Sequence, residues 1–474
     1  MPIRAVGTES EEKMRLRVAF AVVLLLGMGG STVFAGAAFT SLGAETTATG
    51  ITSDGRVVAY HSSTNAYIWS AAHGAQSLGA GSTAGVALKG STVVVAGIVN
   101  GIASRWDSST ASWTALPLAG KAYNWTPLCI GANPGDVYIG GYSTHGSPSQ
   151  KYACRYKEST ASTSDVQLPS GSYHNNSQIN GTSSSAPSTS YLLAGQAKYG
   201  GSGPPEGGSR QPMGGVNPDG GVALLGFNTL RGAPSTSYDA VASAISADGT
   251  RIAGWTSVGG AMVCQACYWD SPYSTGQTPT AIPGLSGYYW ARTTAVSPDG
   301  SIICGFTWNT DDVHQTAFIW DAVNGTRDLA AVFAAAGLDM TGWELSADPF
   351  AVSGISADGK CFCGTGAYNG VQSAWVATLP GPVGMTNKAA HDTIMKTASQ
   401  KQPVVLWGKV LDDTYYGPTS FTLDDGSNAP VGVISSSGHG VWPGCYVRAK
   451  GLLDATVSPP VLYSSMAEIT ILAY

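Results

Sequence analysis

The sequence predicts an all-β protein: a β-propeller of about seven blades followed by a small, five-stranded, OB-like barrel. Three observations predict this class. A short unit recurs along most of the chain, and the pattern changes after Pro380. Charged residues make up only 11% of the chain, against roughly 25% in an average globular protein. The 62 glycines favour short strands and tight turns over surface helices.

The recurring unit has three parts. An apolar segment ends in Ser-x-Asp-Gly, a second apolar run ends in Gly, and a third segment reads Ala-aromatic-x-Trp. An irregular copy occupies residues 178–230, where the Gly- and Pro-rich stretch 199–221 predicts an inserted surface loop. The other copies begin at Ile51, Ala87, Asn133, Ala244, Ala295 and Ile355.

Each unit predicts a β-meander. Asp and Gly supply a tight turn, because glycine adopts positive φ at little cost and aspartate hydrogen-bonds to nearby backbone. The glycine that ends the second strand lets a neighbouring backbone approach closely. Radial stacking hides both faces of such sheets, so about seven units predict a propeller over residues 36–380. The closing tryptophans are predicted blade-core residues: Trp69, Trp106, Trp269, Trp320 and Trp375.

One segment before the last unit departs from the strand pattern. From Leu329 onward, apolar residues follow the i, i+3, i+4, i+7 spacing of an amphipathic helix. Asp328 is the predicted N-cap and Gly337 the predicted stop. We therefore expect a short helix within residues 327–338.

After Pro380 the repeat ends. Residues 381–402 predict a linker or a short helix, and residues 403–474 hold five strand-like segments. Five strands in about 70 residues fit a small OB-like barrel. The predicted strands are Pro403–Leu411, Thr419–Asp425, Pro430–Ser436, Cys445–Gly451 and Glu468–Leu472.

Residues 1–35 predict a signal peptide. Three basic residues precede the apolar run Val18–Met28, and cleavage is expected after Ala35, with Ala37 as the alternative. The apolar run is about half of the ~20 residues that a spanning helix needs, which disfavours a retained membrane anchor. Because Met14 directly precedes this module, residues 1–13 are interpreted as an upstream extension. We expect a secreted protein without stable membrane insertion, extracellular or on the cell surface, with the periplasm as alternative.

Charge limits the partners. A net charge of −6 gives no general attraction to nucleic acid or anionic lipid. In residues 403–474, three basic side chains stand against six acidic ones, which disfavours phosphate tracking. Five barrel aromatics are candidates for stacking on a sugar, with packing in the barrel core and loops as the alternative. They are Trp407, Tyr415, Tyr416, Trp442 and Tyr446.

No catalytic motif is apparent. The sequence holds no Gly-x-Ser-x-Gly elbow, Walker loop or His-Glu-x-x-His, and we expect neither a cofactor nor a metal. Four repeated aspartates resemble candidate catalytic carboxylates, but their fixed place in Ser-x-Asp-Gly favours a turn role. They are Asp54, Asp248, Asp299 and Asp358.

The cysteines give weaker signals. Cys264-x-x-Cys267 is a lone CxxC, and Cys267 occupies the repeat position of Cys154, which favours blade packing or a disulfide. Five of the eight cysteines lie between Cys264 and Cys363, so one or two local disulfides are expected there. Cys304 and Cys363 share a position before the strand-ending glycine, which predicts small buried side chains. Residues 311–314, with two aspartates and one histidine, are a weak candidate cation loop.

The repeat resembles a known family. The Ser-x-Asp-Gly, Gly and Ala-Phe-x-Trp units, with the segment Gly337–Trp343, resemble the bacterial extracellular HAF-repeat propellers of secreted and autotransporter-associated proteins. The resemblance covers residues 45–380, and the family's His-Ala-Phe appears as Thr316-Ala-Phe318. That family has no defined catalytic residues, so the resemblance implies a fold and a location. The segment Gly408–Gly451 is similar to OB-fold modules appended to bacterial secreted proteins.

These observations leave three functional hypotheses. The favoured one is an exported, non-catalytic binding protein that contacts a glycan or a protein through its propeller loops or its barrel. The second is a secreted polysaccharide hydrolase or lyase with a site at the propeller channel. The third is a structural component of the cell envelope. The oligomeric state stays open.

Overall fold

The computed structural model of the protein forms two compact units. Ala37–Leu379 is one unit, and Pro380–Tyr474 belongs to the other. The predicted signal peptide and most of the predicted linker lie outside the described residues. The structure describes residues 38–118, 125–145, 150–169, 172–184, 191–199, 210–215, 223–232, 239–259, 263–309, 315–345, 351–380, 383–384, 387, 390, 402–411, 419–427, 429–436, 440–454, 459–465 and 468–473.

The first unit is a seven-bladed β-propeller, as predicted. Its first strand, β1 (Ala38–Ala44), belongs to the last blade. Blade 1 comprises β2 (Thr47–Ile51), β3 (Val58–His61), β4 (Asn65–Ser70) and β5 (Gly74–Ala80). Blade 2 comprises β6 (Ser82–Lys89), β7 (Thr92–Val99), β8 (Ile102–Asp107) and β9 (Ser112–Ala115). Blade 3 comprises β10 (Trp125–Asn133), β11 (Asp136–His145), β12 (Gln150–Lys157), the 3₁₀ turn Glu158–Thr160 and β13 (Ser162–Asp165).

The remaining blades follow the same antiparallel order. Blade 4 comprises β14 (Ser172–Thr182), β15 (Leu193–Tyr199), β16 (Arg210–Gly214) and β17 (Leu225–Gly226). Blade 5 comprises β18 (Ala240–Ile245), β19 (Arg251–Gly259), β20 (Val263–Asp270) and β21 (Thr280–Ala281). Blade 6 comprises β22 (Trp290–Val296), β23 (Ile302–Trp308), β24 (Gln315–Asp321) and β25 (Gly325–Asp328). Blade 4 corrects the prediction of a loop over 199–221, because residues 210–214 form a blade strand.

Blade 7 joins the two ends of the propeller. It follows the helix α1 (Leu329–Ala335). In this blade β1 pairs antiparallel with β29 (Val371–Thr378), with Ala38 opposite Thr378. The sheet therefore contains strands from both ends of the unit, which closes the ring. Its other strands are β26 (Trp343–Glu344), β27 (Gly354–Ile355) and β28 (Cys361–Tyr368).

The helix α1 fastens this closure. It begins at the predicted N-cap, where the Asp328 carboxylate accepts a hydrogen bond from the backbone N–H of Ala331 at 2.8 Å. Gly337 follows the helix with φ +83°, a conformation that favours glycine and ends the turn. Phe333 is buried, and its ring centroid lies 5.9 Å from that of Phe39 in β1 and 5.8 Å from that of Trp375 in β29. The predicted helix is therefore confirmed, and it packs on the strands that close the ring.

The Ser-x-Asp-Gly segments are the turns between the first and second strands of a blade. In blade 6, Ser297 donates its hydroxyl to Asp299 at 2.6 Å, and the same carboxylate oxygen accepts from the Ser301 backbone N–H at 3.0 Å. Gly300 adopts φ +74°. Blades 1, 5 and 7 repeat this arrangement at Asp54, Asp248 and Asp358. The prediction of turn chemistry is confirmed, since each carboxylate binds its own turn.

A bulge and a glycine recur next to each other in the blades. The pairing of first and second strands shifts by one residue in each of blades 1–6. Beside the bulge, the second strand carries the repeat glycine in blades 2–6, whereas blade 1 has Tyr60 at this position. A Cβ on Gly305 would lie 2.0 Å from the Arg292 carbonyl oxygen. The close backbone approach predicted for this glycine therefore occurs between two strands of the same blade. The same clash applies to Gly97, Gly141, Gly195, Gly254 and Gly364.

The repeat tryptophans contribute to the blade cores. Trp269 and Trp375 are almost completely buried, and Trp106 and Trp320 are buried nearly as fully. Trp69 is half-buried against the core shared by blades 1 and 7. Their recurrence is therefore explained by packing.

The disulfide prediction is wrong. All eight cysteines are free thiols. Cys264 and Cys267 are three residues apart in one strand, so their side chains point to opposite faces of the sheet. Burial raises the pKa of the Cys129 thiol to about 12 and raises that of Cys304 and Cys363 still further. Cys304 and Cys363 are completely buried small side chains, as their shared repeat position predicts.

The second unit contains a closed five-stranded barrel with OB topology. The strands β31 (Gln402–Val410), β32 (Ser420–Asp424), β33 (Val431–Ser435), β34 (Tyr446–Asp454) and β35 (Val461–Ser464) pair in the order 31-32-33-35-34-31. The contact between β33 and β35 is parallel. Two further strands, β30 (Val383–Gly384) and β36 (Ile469–Ala473), pair with β31 and β34. The core comprises inward-facing residues such as Leu406, Phe421, Val433, Val447 and Leu462.

The fifth barrel strand differs from the prediction. The segment Glu468–Leu472 was expected to complete the barrel, but β35 does so instead. The predicted segment forms β36, which lies beside β34, with Arg448 opposite Thr470. Both segments are short and rich in apolar residues, so their patterns alone do not distinguish a barrel strand from an added strand.

Candidate functional site

The first strands of the seven blades surround a central cavity of about 1050 Å³. Each bulge places one residue in the lining of this cavity. Several of these residues also connect neighbouring blades: Asn180 donates to the Ala242 carbonyl at 2.9 Å, and Ser353 donates to the Ala48 carbonyl at 2.7 Å. The bulge residues are Thr49, Ala84, Leu128, Asn180, Ser243 and Thr294, with Ser353 at the corresponding place in blade 7.

Two arginines and two tryptophans meet at the end of the cavity opposite the Ser-x-Asp-Gly turns. The Arg292 guanidinium carbon lies 4.3 Å from the Trp255 ring centroid and 5.2 Å from that of Trp308. On blade 4, Arg210 lies 5.0 Å from the Trp255 ring. We call Arg210, Trp255, Arg292 and Trp308 the channel cluster. Cation–π contacts of this kind hold guanidinium groups in fixed orientations.

The two arginines differ in their partners. The Asp239 carboxylate accepts from Arg210 Nε at 2.8 Å and forms a second, shorter hydrogen bond with Arg210 Nη2. Arg292 forms no ion pair with any residue that the structure describes. Its Nη2 donates to the Cys264 sulfur at 3.6 Å, and its Nε is buried without a hydrogen-bond partner. Burial raises the pKa of the Cys264 thiol, although the adjacent Arg292 charge opposes this shift.

The rest of the lining is mainly neutral and polar. His61 lies 3.2 Å from the Thr83 hydroxyl through its Nδ1, and burial lowers the His61 pKa. Gln178 donates to the Asn180 side chain at 2.7 Å. Among the lining residues in the described ranges there is no aspartate or glutamate. These groups can donate and accept hydrogen bonds around one half-buried guanidinium, that of Arg292.

The channel cluster was missed by the sequence reasoning. A signal existed in the repeat itself, because Trp255 and Phe306 directly follow the strand-ending glycine in two consecutive units. Blade 3 carries Tyr142 at this place, and other units carry Ile98, Gln196 or Thr365. Trp255 and Phe306 line the cavity and Tyr142 does not, so the aromatic alone does not identify the site, and the sequence does not show that arginines from blades 4 and 6 reach it.

The predicted barrel aromatics are only partly within the described structure. Trp407, Trp442 and Tyr446 are each between 42% and 50% exposed, which contradicts their assignment to the barrel core. Tyr415 and Tyr416 lie outside the described residues. Trp407 and Tyr446 stand on the neighbouring strands β31 and β34, whose outward faces form one surface.

The other predicted sites do not converge. The four turn aspartates are occupied within separate turns, and the loop at 311–314 lies outside the described residues. No set of three or more His, Cys, Asp or Glu side chains suited to a metal ion occurs in the described part of the chain. Within the same ranges, no helix has the length and apolar character needed to cross a membrane.

Several solved structures share the propeller fold at low sequence identity. An oligogalacturonate lyase in complex with manganese is 13% identical, with a TM-score of 0.48 over 72% of this chain and 93% of that chain. The β-propeller domain of the Trilobed protease from Pyrococcus furiosus is 9% identical, with a TM-score of 0.41 over 71% and 96%. YCF48 bound to D1 peptide is 12% identical, with a TM-score of 0.40 over 73% and 96%. These values carry no argument about function, and no family model and no curated protein match the sequence.

Proposed function

We propose that the protein is an exported, non-catalytic binding protein that holds a glycan on the outer face of its barrel. The observation that carries the proposal is the pair of exposed aromatics on adjacent strands, Trp407 at 42% and Tyr446 at 50% exposure. Large aromatic side chains in solvent mark binding surfaces when they lie together. The export component rests on the predicted signal peptide and on the resemblance to extracellular propellers.

The strand register supports a shared binding surface. Trp407 pairs with Arg448 and Lys409 pairs with Tyr446, so the two aromatics occupy diagonal positions across β31 and β34. Diagonal neighbours of this kind lie roughly 7–8 Å apart, within reach of one sugar chain. All four side chains are exposed. Aromatic faces can stack on sugar rings, while Lys409 and Arg448 can donate to hydroxyl groups.

The test measures glycan binding by the full chain and by its Trp407→Ala and Tyr446→Ala variants. A glycan array identifies the ligand, and calorimetry then measures its affinity. We expect each substitution to weaken binding at least about tenfold, equivalent to about 1.4 kcal/mol. Tyr289→Ala is the matched control, because Tyr289 is an aromatic of the propeller that is 74% exposed.

Three outcomes would contradict the proposal: no glycan binds, the barrel variants bind as the parent does, or the Tyr289 control loses as much affinity as they do. Capture of a protein that depends on Trp407 would replace the glycan by a protein ligand. The export component is checked separately by sequencing the N-terminus of protein recovered from the medium, which should begin at Gly36.

A further inference from the structure

We propose that the channel cluster is a second binding site, specific for an oligosaccharide that carries a single carboxylate, as in a neutral sugar chain with one hexuronic acid. Arg292 is the residue that receives the carboxylate. The inference concerns the propeller and does not depend on the glycan site proposed for the barrel.

The first step of the argument is the state of Arg292. A guanidinium group in a protein interior is ordinarily paired with a carboxylate, because removal of its charge from water costs free energy. Arg210 illustrates this, since Asp239 holds it with two hydrogen bonds. Arg292 has two tryptophan rings and one thiol around it but no carboxylate among the described residues. Its positive charge therefore remains available at the cavity wall.

The second step is that the orientation of Arg292 is fixed. Trp255 is 4% exposed and Trp308 is 6% exposed, so the rings that flank the guanidinium are themselves held by the blade cores. A planar guanidinium held in this way is preorganised to bind a carboxylate through two parallel hydrogen bonds. Little side-chain entropy would then be lost when a ligand binds.

The third step comes from buried hydroxyl groups beside Arg292. Thr293 is 2% exposed, lines the cavity, and its hydroxyl has no hydrogen-bond partner. The Thr294 hydroxyl, on the bulge residue, is likewise buried without a partner. Buried hydroxyls are nearly always hydrogen-bonded in proteins, so these two are unsatisfied groups beside Arg292 that a ligand in the cavity can complete.

The ligand class follows from the balance of groups. One unpaired cation stands among neutral donors and acceptors, including Gln178, Asn180 and Gln196. A polyanionic peptide would be better served by several free cations, whereas a single carboxylate surrounded by hydroxyl groups matches a hexuronic acid. The cavity, at about 1050 Å³, is large enough for an oligosaccharide.

The experiment measures binding of trisaccharides with one acidic sugar, either glucuronic, galacturonic or mannuronic acid, and two glucose units to the full chain by calorimetry. The methyl ester of each trisaccharide, a neutral glucose trisaccharide and a hexaglutamate peptide are the comparison probes. We expect at least one acidic trisaccharide to bind, and its methyl ester to bind at least tenfold more weakly. This comparison uses the parent protein, so it remains decisive if a variant fails to fold.

The variant arm uses Arg292→Gln, Thr293→Val and the control Arg56→Gln. Arg56 has a side chain 74% exposed and belongs to a Ser-x-Asp-Gly-type turn, at the other end of the propeller. We expect Arg292→Gln to weaken binding of the acidic trisaccharide at least tenfold and Thr293→Val at least threefold, with Arg56→Gln within twofold of the parent. Trp407→Ala should leave this binding unchanged, which separates the result from that for the barrel.

The proposal is overturned if none of the three acids binds, if the esters bind equally well, or if only hexaglutamate binds. It is also overturned if a folded Arg292→Gln variant, checked by circular dichroism, binds the acid like the parent. Binding that is lost with Trp407→Ala but retained with Arg292→Gln would place the acidic sugar on the barrel and exclude the channel site.

Discussion

Single repeat residues that look like candidate catalytic groups in the sequence have local structural roles. The Asp299 carboxylate accepts hydrogen bonds from Ser297 and from both the backbone and the hydroxyl of Ser301. Burial raises its pKa, but these hydrogen bonds outweigh burial, and the pKa lies below the usual value. The low pKa of the Asp299 carboxyl is therefore explained by its turn. Unsatisfied polar groups lie elsewhere, among them those of Arg292, Thr293 and Thr294 in the cavity wall.

His61 gives a pH-dependent prediction at this scale. Burial lowers its pKa in the folded protein below the ordinary value of 6.5. Between these two values the unfolded chain binds more protons than the folded one, so the free energy of unfolding falls as the pH is lowered through 6.5. We expect this loss to be smaller in a His61→Gln variant, measured by urea unfolding at a series of pH values.

The control for this experiment is His73→Gln, because His73 is an exposed turn residue of the same blade. It should retain the parent's slope of stability against pH. An unchanged slope in the His61 variant would show that burial of this imidazole does not contribute to the acid sensitivity of the protein.

At the scale of the strand, the bulge and the neighbouring glycine form one packing arrangement. The bulge brings the first-strand carbonyl over the second strand, and a side chain there would overlap it. A Cβ on Gly364 would lie 2.1 Å from the Ala351 carbonyl oxygen. Six of the seven blades therefore carry glycine here for close packing within the blade, while blade 1 has Tyr60, and the bulge turns one residue of each blade toward the channel.

Adjacent substitutions in β28 test this packing arrangement. We expect Gly364→Ala to lower the free energy of unfolding by more than about 2 kcal/mol, since backbone atoms must move to admit the methyl group. Cys363→Ala should cost less than about 1.5 kcal/mol, because the equivalent residues Ala96 and Ala253 are already alanine in other blades. Denaturant unfolding of both variants provides the measurement. Equal losses would mean that the close approach is not what requires glycine.

Elements with strong local signals could be predicted from the sequence, whereas contacts between distant segments could not. The turn residues and helix α1 follow from short patterns, since Asp328 and Gly337 satisfy the ends of the helix locally. The strand at 461–464 was missed, because its pattern is short and a longer one follows at 469–473. The channel cluster brings together residues 210, 255 and 292 from three blades, so no local pattern contains it.

At the scale of the whole molecule, the ring is closed by its own first strand. Phe39 of β1 contacts the rings of Phe333, Trp343 and Trp375 at centroid distances of 5.9, 5.0 and 5.3 Å. The backbone N–H of Ala374 also donates a hydrogen bond to the Thr46 hydroxyl, across 328 residues of sequence. The lining of the channel depends on this closure, because it requires all seven first strands to remain in place.

The closure can be tested at Phe39. We expect Phe39→Ala to destabilise the propeller by at least about 2 kcal/mol and to make β1 accessible to protease. The reason is that β1 loses the aromatic contacts that hold it in blade 7. Thermal unfolding and limited proteolysis, read by N-terminal sequencing, provide the measurements. Tyr289→Ala removes an exposed aromatic just before β22 and should leave the stability and the protease resistance unchanged. Unaltered stability of the Phe39 variant would assign the closure to backbone pairing alone.

The pairing of Ala38 with Thr378 has a consequence for the connectivity of the chain. The beginning and the end of the propeller lie on adjacent strands, so a short peptide could join them while the chain is cut between any two other blades. Such a circular permutant would keep the same seven sheets and the same channel wall, but a different blade would be completed last. The order in which the blades assemble can therefore be changed without changing the folded structure of the propeller.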